Sequence, residues 1–315
     1  MNKLFKIVSV LLVVGLVGAV GAANATEYNI TTINLTAYAN NYFVSGINND
    51  GDVVGFYGPS TNYAGFLWKN NAFTSISDSN YTSTSIFGIN DAGKMAGTYS
   101  NTGFTYQNGT FTPVTPFPSP PPYVDAGGIN NSGQIVGSYA NASGPYNGYL
   151  LSGTEVTTLT GPEATGDTYA FGINDLGQVV GSFQGADNNW FGYKYADGIY
   201  STFSVTQAIP GEFYAVLGIN NSGVIVGNYS GSDNNMHGFI YVDGISTTLD
   251  FPGARYTWAT GINDLGQIVG TYELNNVNYG FIATPVPVPG TLLLLGSGLA
   301  GLVVWRKRRQ AAAKG

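Results

Sequence analysis

The chain contains no cysteine and only one histidine among its 315 residues. The lack of cysteine excludes a disulfide framework, a thiolate nucleophile and a cysteine zinc site, and one histidine cannot build a multi-histidine metal centre. Charged residues make up only 9% of the chain, against a typical quarter. The sequence therefore predicts no metal and no cofactor, and it marks no catalytic residue.

Glycine and aromatic residues are abundant instead. The chain has 45 glycines, and 14% of its residues are aromatic. Glycine permits tight turns, and aromatic side chains favour strands. This composition argues against a helical bundle and predicts many short strands joined by turns.

Basic residues lie mostly near the two ends of the chain. Between residues 26 and 285 there are four of them against all 18 acidic residues, which gives this body a formal charge of −14. A body with this charge repels nucleic acid and anionic lipid. We therefore expect no nucleic-acid partner.

Residues 1–25 have the layout of a secretory signal peptide. Lys3 and Lys6 precede an apolar run over residues 7–20, and Ala23 and Ala25 form a small-x-small cleavage site. We expect cleavage before Thr26. The alternative is an uncleaved membrane anchor, for which this run is short.

Residues 285–315 form a second segment that is separate from the body. A proline-rich spacer is followed by 15 uncharged residues from Thr291 to Trp305 and then by four basic residues, Arg306, Lys307, Arg308 and Arg309. The uncharged stretch is shorter than the roughly 20 residues of a comfortable membrane span. Basic residues stay on the cytoplasmic side, so the body is expected outside that membrane. The pattern favours a transient membrane anchor or a processing signal.

This tail resembles a PEP-CTERM sorting signal. The resemblance lies in the proline motif Pro287, Val288 and Pro289, the leucine run, the glycine-rich centre and the basic cluster. Val288 stands where the family has a glutamate. The resemblance implies an exosortase-like membrane peptidase as a partner, and it implies export to the outer envelope, the cell surface or the extracellular matrix after processing.

Between the two ends, one unit occurs six times. Each copy reads Gly-Ile-Asn-(Asn/Asp)-x-Gly and is followed by a short apolar run and a further glycine, and the copies begin at Gly46, Gly88, Gly128, Gly172, Gly218 and Gly261. The spacing of 40–46 residues and four strand-like pieces per unit are typical of a propeller blade.

The ends of the repeat region predict how the ring closes. The sixth unit stops after its third strand, near Ala283, and a matching fourth strand stands at residues 30–33. We therefore predict an all-β, six-bladed propeller over residues 26–284, closed by its N-terminal strand. An open β-solenoid is the alternative, but it would leave both pieces unpaired. The repeated unit also resembles the HAF family of extracellular repeats, which implies no particular reaction.

The acidic residues of the repeated turns invite two interpretations. Asp91, Asp175 and Asp264 occupy positions where other copies have asparagine. They could be calcium ligands or catalytic acids, but interchange with asparagine favours simple turn chemistry. The oxygen-rich stretch from Asn48 to Asp52 lacks the remote bidentate glutamate of a calcium loop. His237 has no accompanying nucleophile motif and is interpreted as a packing or surface residue.

Aromatic residues precede most of the repeated units. They lie three to five residues before five of the six Gly-Ile-Asn units, at Tyr42, Tyr123, Tyr169, Tyr214 and Trp258, and the second unit has only the more distant Tyr81. Loops of variable length gather on one face of a propeller, where binding sites are common. These rings could stack on sugars, or they could fill the space between blades.

Two functions remain open from the sequence. The favoured one is a non-catalytic, exported binding or structural component of the envelope or of an exopolysaccharide matrix, with polysaccharide as the expected ligand. The alternative is a polysaccharide hydrolase or lyase on the same scaffold. A glycosidase needs two carboxylates at a defined separation, and no motif marks such a pair.

Overall fold

The computed structural model describes residues 9–13 and 27–286, except residues 40, 60, 61, 79, 82, 120, 206, 211 and 213. In this part of the chain, 26 strands form six antiparallel sheets around one axis, together with a short 3-10 helix at Ala186–Asn188. The predicted six-bladed β-propeller is confirmed.

The strands follow the blades in chain order. The first two are β1 (Ser9–Val13) and β2 (Glu27–Ile33). Blade 1 contains β3 (Tyr42–Ile47), β4 (Val53–Tyr57), β5 (Ala64–Lys69) and β6 (Ala72–Ile76). Blade 2 contains β7 (Thr84–Ile89), β8 (Met95–Tyr99), β9 (Thr102–Gln107) and β10 (Thr110–Pro113). Blade 3 contains β11 (Tyr123–Val124), β12 (Gly128–Ile129), β13 (Ile135–Ala140), β14 (Tyr146–Ser152) and β15 (Glu155–Leu159).

The remaining blades have the same plan. Blade 4 contains β16 (Thr168–Ile173), β17 (Val179–Gln184), β18 (Trp190–Ala196) and β19 (Ile199–Phe203). Blade 5 contains β20 (Tyr214–Ile219), β21 (Ile225–Ser230), β22 (Met236–Val242) and β23 (Ile245–Leu249). Blade 6 contains β24 (Tyr256–Ile262), β25 (Ile268–Leu274) and β26 (Val277–Pro285), which β2 completes.

The first strand of every blade lies next to the central axis, and the glycine of Gly-Ile-Asn lets these strands approach each other. A Cβ on Gly46 would lie 2.8 Å from the carbonyl oxygen of Phe87 in blade 2, and one on Gly261 would lie 3.0 Å from that of Ser45 in blade 1. Any larger residue would force the inner strands apart. The repeated glycine is therefore a requirement of ring geometry.

Each blade is packed around an aromatic ring laid over a glycine. Phe66 in the third strand of blade 1 is fully buried, and a Cβ on Gly55 in the second strand would lie 2.7 Å from its ring. The other third strands place an equally buried ring at the corresponding position, namely Phe104, Tyr149, Tyr193, Phe239 and Phe281. This arrangement explains why the second strands carry an apolar-apolar-glycine run.

The N-terminal strand completes blade 6. Strand β2 pairs antiparallel with β26, from Tyr28 opposite Pro285 to Ile33 opposite Gly280. The predicted closure is thus confirmed. Beyond it, β1 pairs with β2 at the outer edge of the same sheet. The sequence predicts that β1 belongs to the cleaved signal peptide, in which case β2 becomes the outer strand of the mature blade.

The propeller has two different faces. We call the end of the axis with the six Asn-x-x-Gly turns the turn face, and the opposite end, with the longer connections, the loop face. In each turn the last glycine has a positive φ, for example 80° at Gly51 and 72° at Gly93, which favours glycine.

No helix in the described residues is long and apolar enough to span a bilayer. The uncharged run Thr291–Trp305 lies outside those residues.

Candidate binding cavity

A cavity of about 490 Å³ lies on the central axis and opens on the loop face. Every blade contributes to its wall. The lining residues are Phe43, Val44, Ser45, Phe56, Phe87, Tyr123, Asp125, Gly127, Tyr169, Phe171, Trp190, Leu217, Trp258, Thr260 and Thr271. The volume lies within the range that is typical of small-molecule sites.

Strand periodicity decides which of the predicted aromatic residues reach this cavity. Side chains alternate between the two faces of a strand. Tyr123, Tyr169 and Trp258 lie at an odd distance before the repeated glycine, and they line the cavity. Tyr42 and Tyr214 lie at an even distance, and they are buried between blades.

Tyr42 and Tyr214 are therefore packing residues. Their side chains are 0% and 3% exposed. The hydroxyl of Tyr42 donates to the carbonyl of Ile33 at 2.8 Å, and that of Tyr214 donates to the carbonyl of Phe203 at 2.9 Å. Burial raises the pKa of each tyrosine to about 12. Two of the five proposed sugar contacts thus have no surface to offer a ligand.

The cavity rings form two walls. In blades 6 and 1, Phe43 lies 5.3 Å from Phe56 and 6.2 Å from Trp258, measured between ring centroids. In blade 4, Tyr169 lies 5.6 Å from Phe171 and 6.0 Å from Trp190. In the circle of six blades, blades 3 and 4 stand opposite blades 6 and 1. A ligand on the axis therefore has aromatic residues on both sides.

Asp125 is the single acidic residue among the described residues that line the cavity. It stands three residues before the repeated glycine of blade 3, where blades 4 and 6 carry Tyr169 and Trp258. Its Oδ1 accepts the backbone N–H of Ser138 at 2.7 Å, and its Oδ2 accepts the hydroxyl of Tyr123 at 3.1 Å. Burial raises the pKa of Asp125 to about 6, although both hydrogen bonds oppose that shift.

Asp125 also interrupts the inner strand of blade 3. The other five blades have one continuous first strand with a register shift before the repeated glycine. Blade 3 has the two short strands β11 and β12 on either side of Asp125, both paired with β13. The carboxylate takes up the N–H of Ser138 where the strand is broken.

A second acidic residue, Asp167, holds Tyr169 of the cavity wall in position through a hydrogen bond. Asp167 accepts the backbone N–H of Tyr146 at 2.9 Å through Oδ1 and the hydroxyl of Tyr169 at 3.2 Å through Oδ2. Desolvation is the main cause that raises the pKa of Tyr169 far above its usual range, and the neighbouring Asp167 adds to it. Tyr169 therefore stays neutral and is held in position by its hydroxyl.

The turn face is closed by side chains that the sequence alone did not place together. Asn49, Asp91, Asn131, Asp175, Asn221 and Asp264 alternate around the axis. Each asparagine donates through Nδ2 to the carboxylates on both sides of it. Each residue also accepts the backbone N–H of its neighbour in the preceding blade through Oδ1. We call these six residues the Asn/Asp ring.

A second, buried ring lies directly beneath. The asparagine of every Gly-Ile-Asn donates through Nδ2 to the backbone carbonyl of the same asparagine in the next blade, and the circle closes from Asn263 to Asn48. Its Oδ1 accepts backbone N–H groups of its own turn, as Asn48 does from Asp52. These asparagines therefore hold the turns and join the blades.

The remaining candidates are engaged in local contacts. Asp52 forms an ion pair with Lys69 at 2.6 Å. His237 bridges two carboxylates, with Nδ1 at 2.7 Å from Asp250 and Nε2 at 3.0 Å from Asp233. Burial lowers the pKa of His237, but these hydrogen bonds outweigh it and the net shift is upward. No group of acidic or histidine residues in the described ranges has the arrangement of a metal site.

The predicted cleavage and sorting residues fall on undescribed parts of the chain. Ala23 and Ala25 precede residue 27, and Pro287, Val288, Pro289 and the basic cluster follow residue 286. Their roles stay predictions of the sequence. The start of the tail is placed, because the N–H of Val286 donates to the carbonyl of Glu27 at 2.7 Å.

Comparison with known proteins supports both the tail and the fold. Residues 285–309 match the family model of the PEP-CTERM protein-sorting motif, which implies export and surface sorting. No curated protein sequence matches the chain. The HAF assignment of the repeats stays a prediction.

Solved structures resemble the body at low sequence identity. A gluconolactonase from Xanthomonas campestris has a TM-score of 0.51 at 10% identity, covering 82% of this chain and 90% of its own. The SapL1 lectin, solved with alpha methyl fucoside, has a TM-score of 0.51 at 11% identity, with 79% and 96% covered. A mutant Aleuria aurantia lectin, solved with alpha-methyl-L-fucoside, has a TM-score of 0.50 at 12% identity, with 78% and 95% covered. These likenesses show the propeller fold alone: the chain is a six-bladed β-propeller that carries a PEP-CTERM sorting motif.

Proposed function

We propose that this protein is an exported, surface-sorted propeller that binds polysaccharide in its central cavity. The observation that carries the proposal is the cavity itself, which is open on the loop face and walled by aromatic rings from opposite blades. Flat rings pack against the apolar faces of sugar rings, and the cavity is large enough to take one or two sugar units.

The positions of the chain ends support an outward-facing cavity. Strand β26 ends on the turn face, where a Cβ on Gly266 would lie 3.1 Å from Pro285. Thr291, the first residue of the apolar run, follows Val286 by five residues, which reach at most about 18 Å. While the tail is in a membrane, the turn face is therefore held close to it, and the cavity opens on the far side.

This orientation can be measured with single cysteines, because the chain has none of its own. We expect Ser222→Cys, in a turn of blade 5, to react several-fold more slowly with a bulky maleimide when the full chain is anchored in zwitterionic liposomes than in detergent. Ser143→Cys, in the β13–β14 loop, is the matched control and should react equally in both. Slowing of the loop-face cysteine instead would contradict the orientation.

The contribution of an aromatic residue to binding can be separated from its contribution to packing by comparing substitutions inside and outside the cavity. We expect Tyr169→Ala combined with Trp258→Ala to weaken polysaccharide binding by about tenfold or more, since both rings line the cavity. Tyr214→Ala should instead lower the free energy of unfolding by roughly 3–5 kcal/mol and leave the binding of the folded fraction unchanged. Binding is measured by retention on immobilised polysaccharides and stability by chemical denaturation. Unchanged retention in the double variant would rule out the cavity.

An enzymatic role is the second candidate, and Asp125 is the feature that favours it. A carboxyl group with a pKa near 6 can act as a general acid. A glycosidase needs a second carboxylate, and Asp125 has no carboxylate partner among the lining residues. Incubation with polysaccharides tests this alternative, since new reducing ends or unsaturated products would establish catalysis.

A further inference from the structure

The cavity has one acidic side chain and no lysine, arginine or histidine among the residues that line it. We propose that it selects ligands with an ammonium group, such as a polymer of free amino sugars, with Asp125 as the counter-ion and the aromatic walls around the cation. This inference rests on the proposed function and names the class of ligand that the same site would take.

The carboxylate of Asp125 has only neutral partners. They are the backbone N–H of Ser138 and the hydroxyl of Tyr123. None of the four basic residues of the body is among the described residues that line the cavity. Lys69 pairs with Asp52, and Arg255 lies within 4.0 Å of Glu273 and over the ring of Tyr256. A charge held in a largely enclosed site without a cation is costly, so a cationic ligand would gain by pairing with it.

The aromatic walls favour a cation over a neutral polar group. Aromatic faces attract ammonium groups through their quadrupole, most strongly in sites shielded from water. Trp258 in blade 6 stands across the axis from Asp125, Phe43 adjoins Trp258 in blade 1, and Tyr169 stands beside Asp125 in the next blade. A cation on the axis therefore has aromatic rings on one side and a carboxylate on the other.

The polar groups of the lining are mostly used within the protein. The hydroxyl of Thr260 donates to the carbonyl of Val44, and the hydroxyl oxygen of Thr271 accepts the N–H of Val44. The hydroxyls of Tyr123 and Tyr169 donate to Asp125 and Asp167. A neutral sugar would find few free hydrogen-bond partners here, and an acidic one would be repelled by the body's charge of −14.

The experiment compares two glycans with the same backbone, one with free amines and one with N-acetyl groups. Titration of the full chain in detergent with tetramers of β-1,4-linked glucosamine and of N-acetylglucosamine should show binding that is about tenfold or more tighter for the free amine. Asp125→Asn keeps the oxygen that accepts from Ser138 but removes the charge, so it should abolish this preference. Asp243→Asn, at an exposed hairpin turn on the turn face, makes the same charge change and should leave the preference intact.

The outcomes separate the ligand class from the proposed function. Equal affinity for both tetramers overturns the ammonium inference and leaves polysaccharide binding standing. Choline serves as a third probe, and its binding without binding of either tetramer supports the ammonium class and overturns the amino-sugar polymer as the ligand. Failure to bind any of the three probes overturns the ammonium inference, and the retention assay on immobilised polysaccharides then decides the proposed function. If Asp125→Asn fails to fold, the comparison of the two tetramers on the unaltered chain still tests the preference for an ammonium group.

Discussion

Removal of residues 27–36 is expected to open the propeller and to cause aggregation. The deletion takes away the outer partner of β26 and four buried side chains, Tyr28, Ile30, Ile33 and Leu35. It also takes away the two backbone groups of Ile33 and Leu35 that bond the buried hydroxyl of Tyr42. An unpaired, apolar strand edge pairs readily with other chains. Size-exclusion chromatography and chemical denaturation of the shortened and intact chains would measure the effect.

Point substitutions in the same strand give a graded version of this test. Ile30 is 1% exposed, so Ile30→Ala should lower the free energy of unfolding by about 2–5 kcal/mol. Its neighbour Asn29 is exposed, and Asn29→Ala should change stability by less than about 0.5 kcal/mol. Equal stability of the shortened and intact chains, or of the two point variants, would show that ring closure does not depend on this strand.

The blades and their closure could be predicted because they depend on local patterns. The repeated Gly-Ile-Asn predicts where each inner strand ends, and the missing fourth strand of blade 6 predicts that the N-terminal strand must fill it. Both patterns are visible along the chain because each blade uses consecutive strands. The structure adds that the glycine of the unit is fixed by the approach of neighbouring inner strands.

The candidate site could be predicted only in part. The aromatic residues before the inner strands were visible, but grouping them by distance alone mixed core residues with cavity residues. An odd or even count from the repeated glycine separates Tyr169 and Trp258 from Tyr42 and Tyr214, and this signal was present in the sequence. Asp125 was also detectable, as the one acidic residue that stands three positions before a repeated glycine.

The Asn/Asp ring is the feature that sequence reasoning missed. Asparagine and aspartate alternate strictly over six turns, but a turn needs no alternation, so the pattern had no meaning until the turns met around one axis. An even number of blades is needed for such a ring to close without two like residues side by side. The interpretation of these residues as turn formers is incomplete, because their side chains bond between blades.

Conversion of all three ring carboxylates to amides is the second large effect that we expect. In the variant Asp91→Asn, Asp175→Asn and Asp264→Asn, every turn keeps a residue that suits it. The amide groups of Asn49, Asn131 and Asn221, however, would then face other amide donors where they now meet carboxylate oxygens. Loss of these acceptors should lower the free energy of unfolding by about 2–4 kcal/mol at pH 7. General electrostatics predicts the opposite sign, because the change removes three charges from a strongly acidic body.

The part of this effect that comes from Asp91 should disappear in acid. Burial raises the pKa of Asp91, but its hydrogen bonds to Asn49 and Asn131 outweigh this and the net shift is downward. A carboxylate whose folded pKa lies below its unfolded value stabilises the fold above the unfolded value, near 4, and loses this contribution as the pH falls through the folded value. Denaturation curves of the wild type and the triple variant should therefore be well separated at pH 7 and move closer together as the pH falls below about 4.

A second triple variant distinguishes the loss of hydrogen bonds in the Asn/Asp ring from the loss of three negative charges. It removes the same number of charges from exposed positions outside the ring, through Glu155→Gln, Asp197→Asn and Asp243→Asn. Asparagine suits such a hairpin turn, because Asn108 occupies one with a φ of 50°. This control should unfold within about 0.5 kcal/mol of the wild type at every pH. Equal behaviour of the two triple variants would mean that the six residues act as separate turns and that the ring adds nothing to the stability of the propeller.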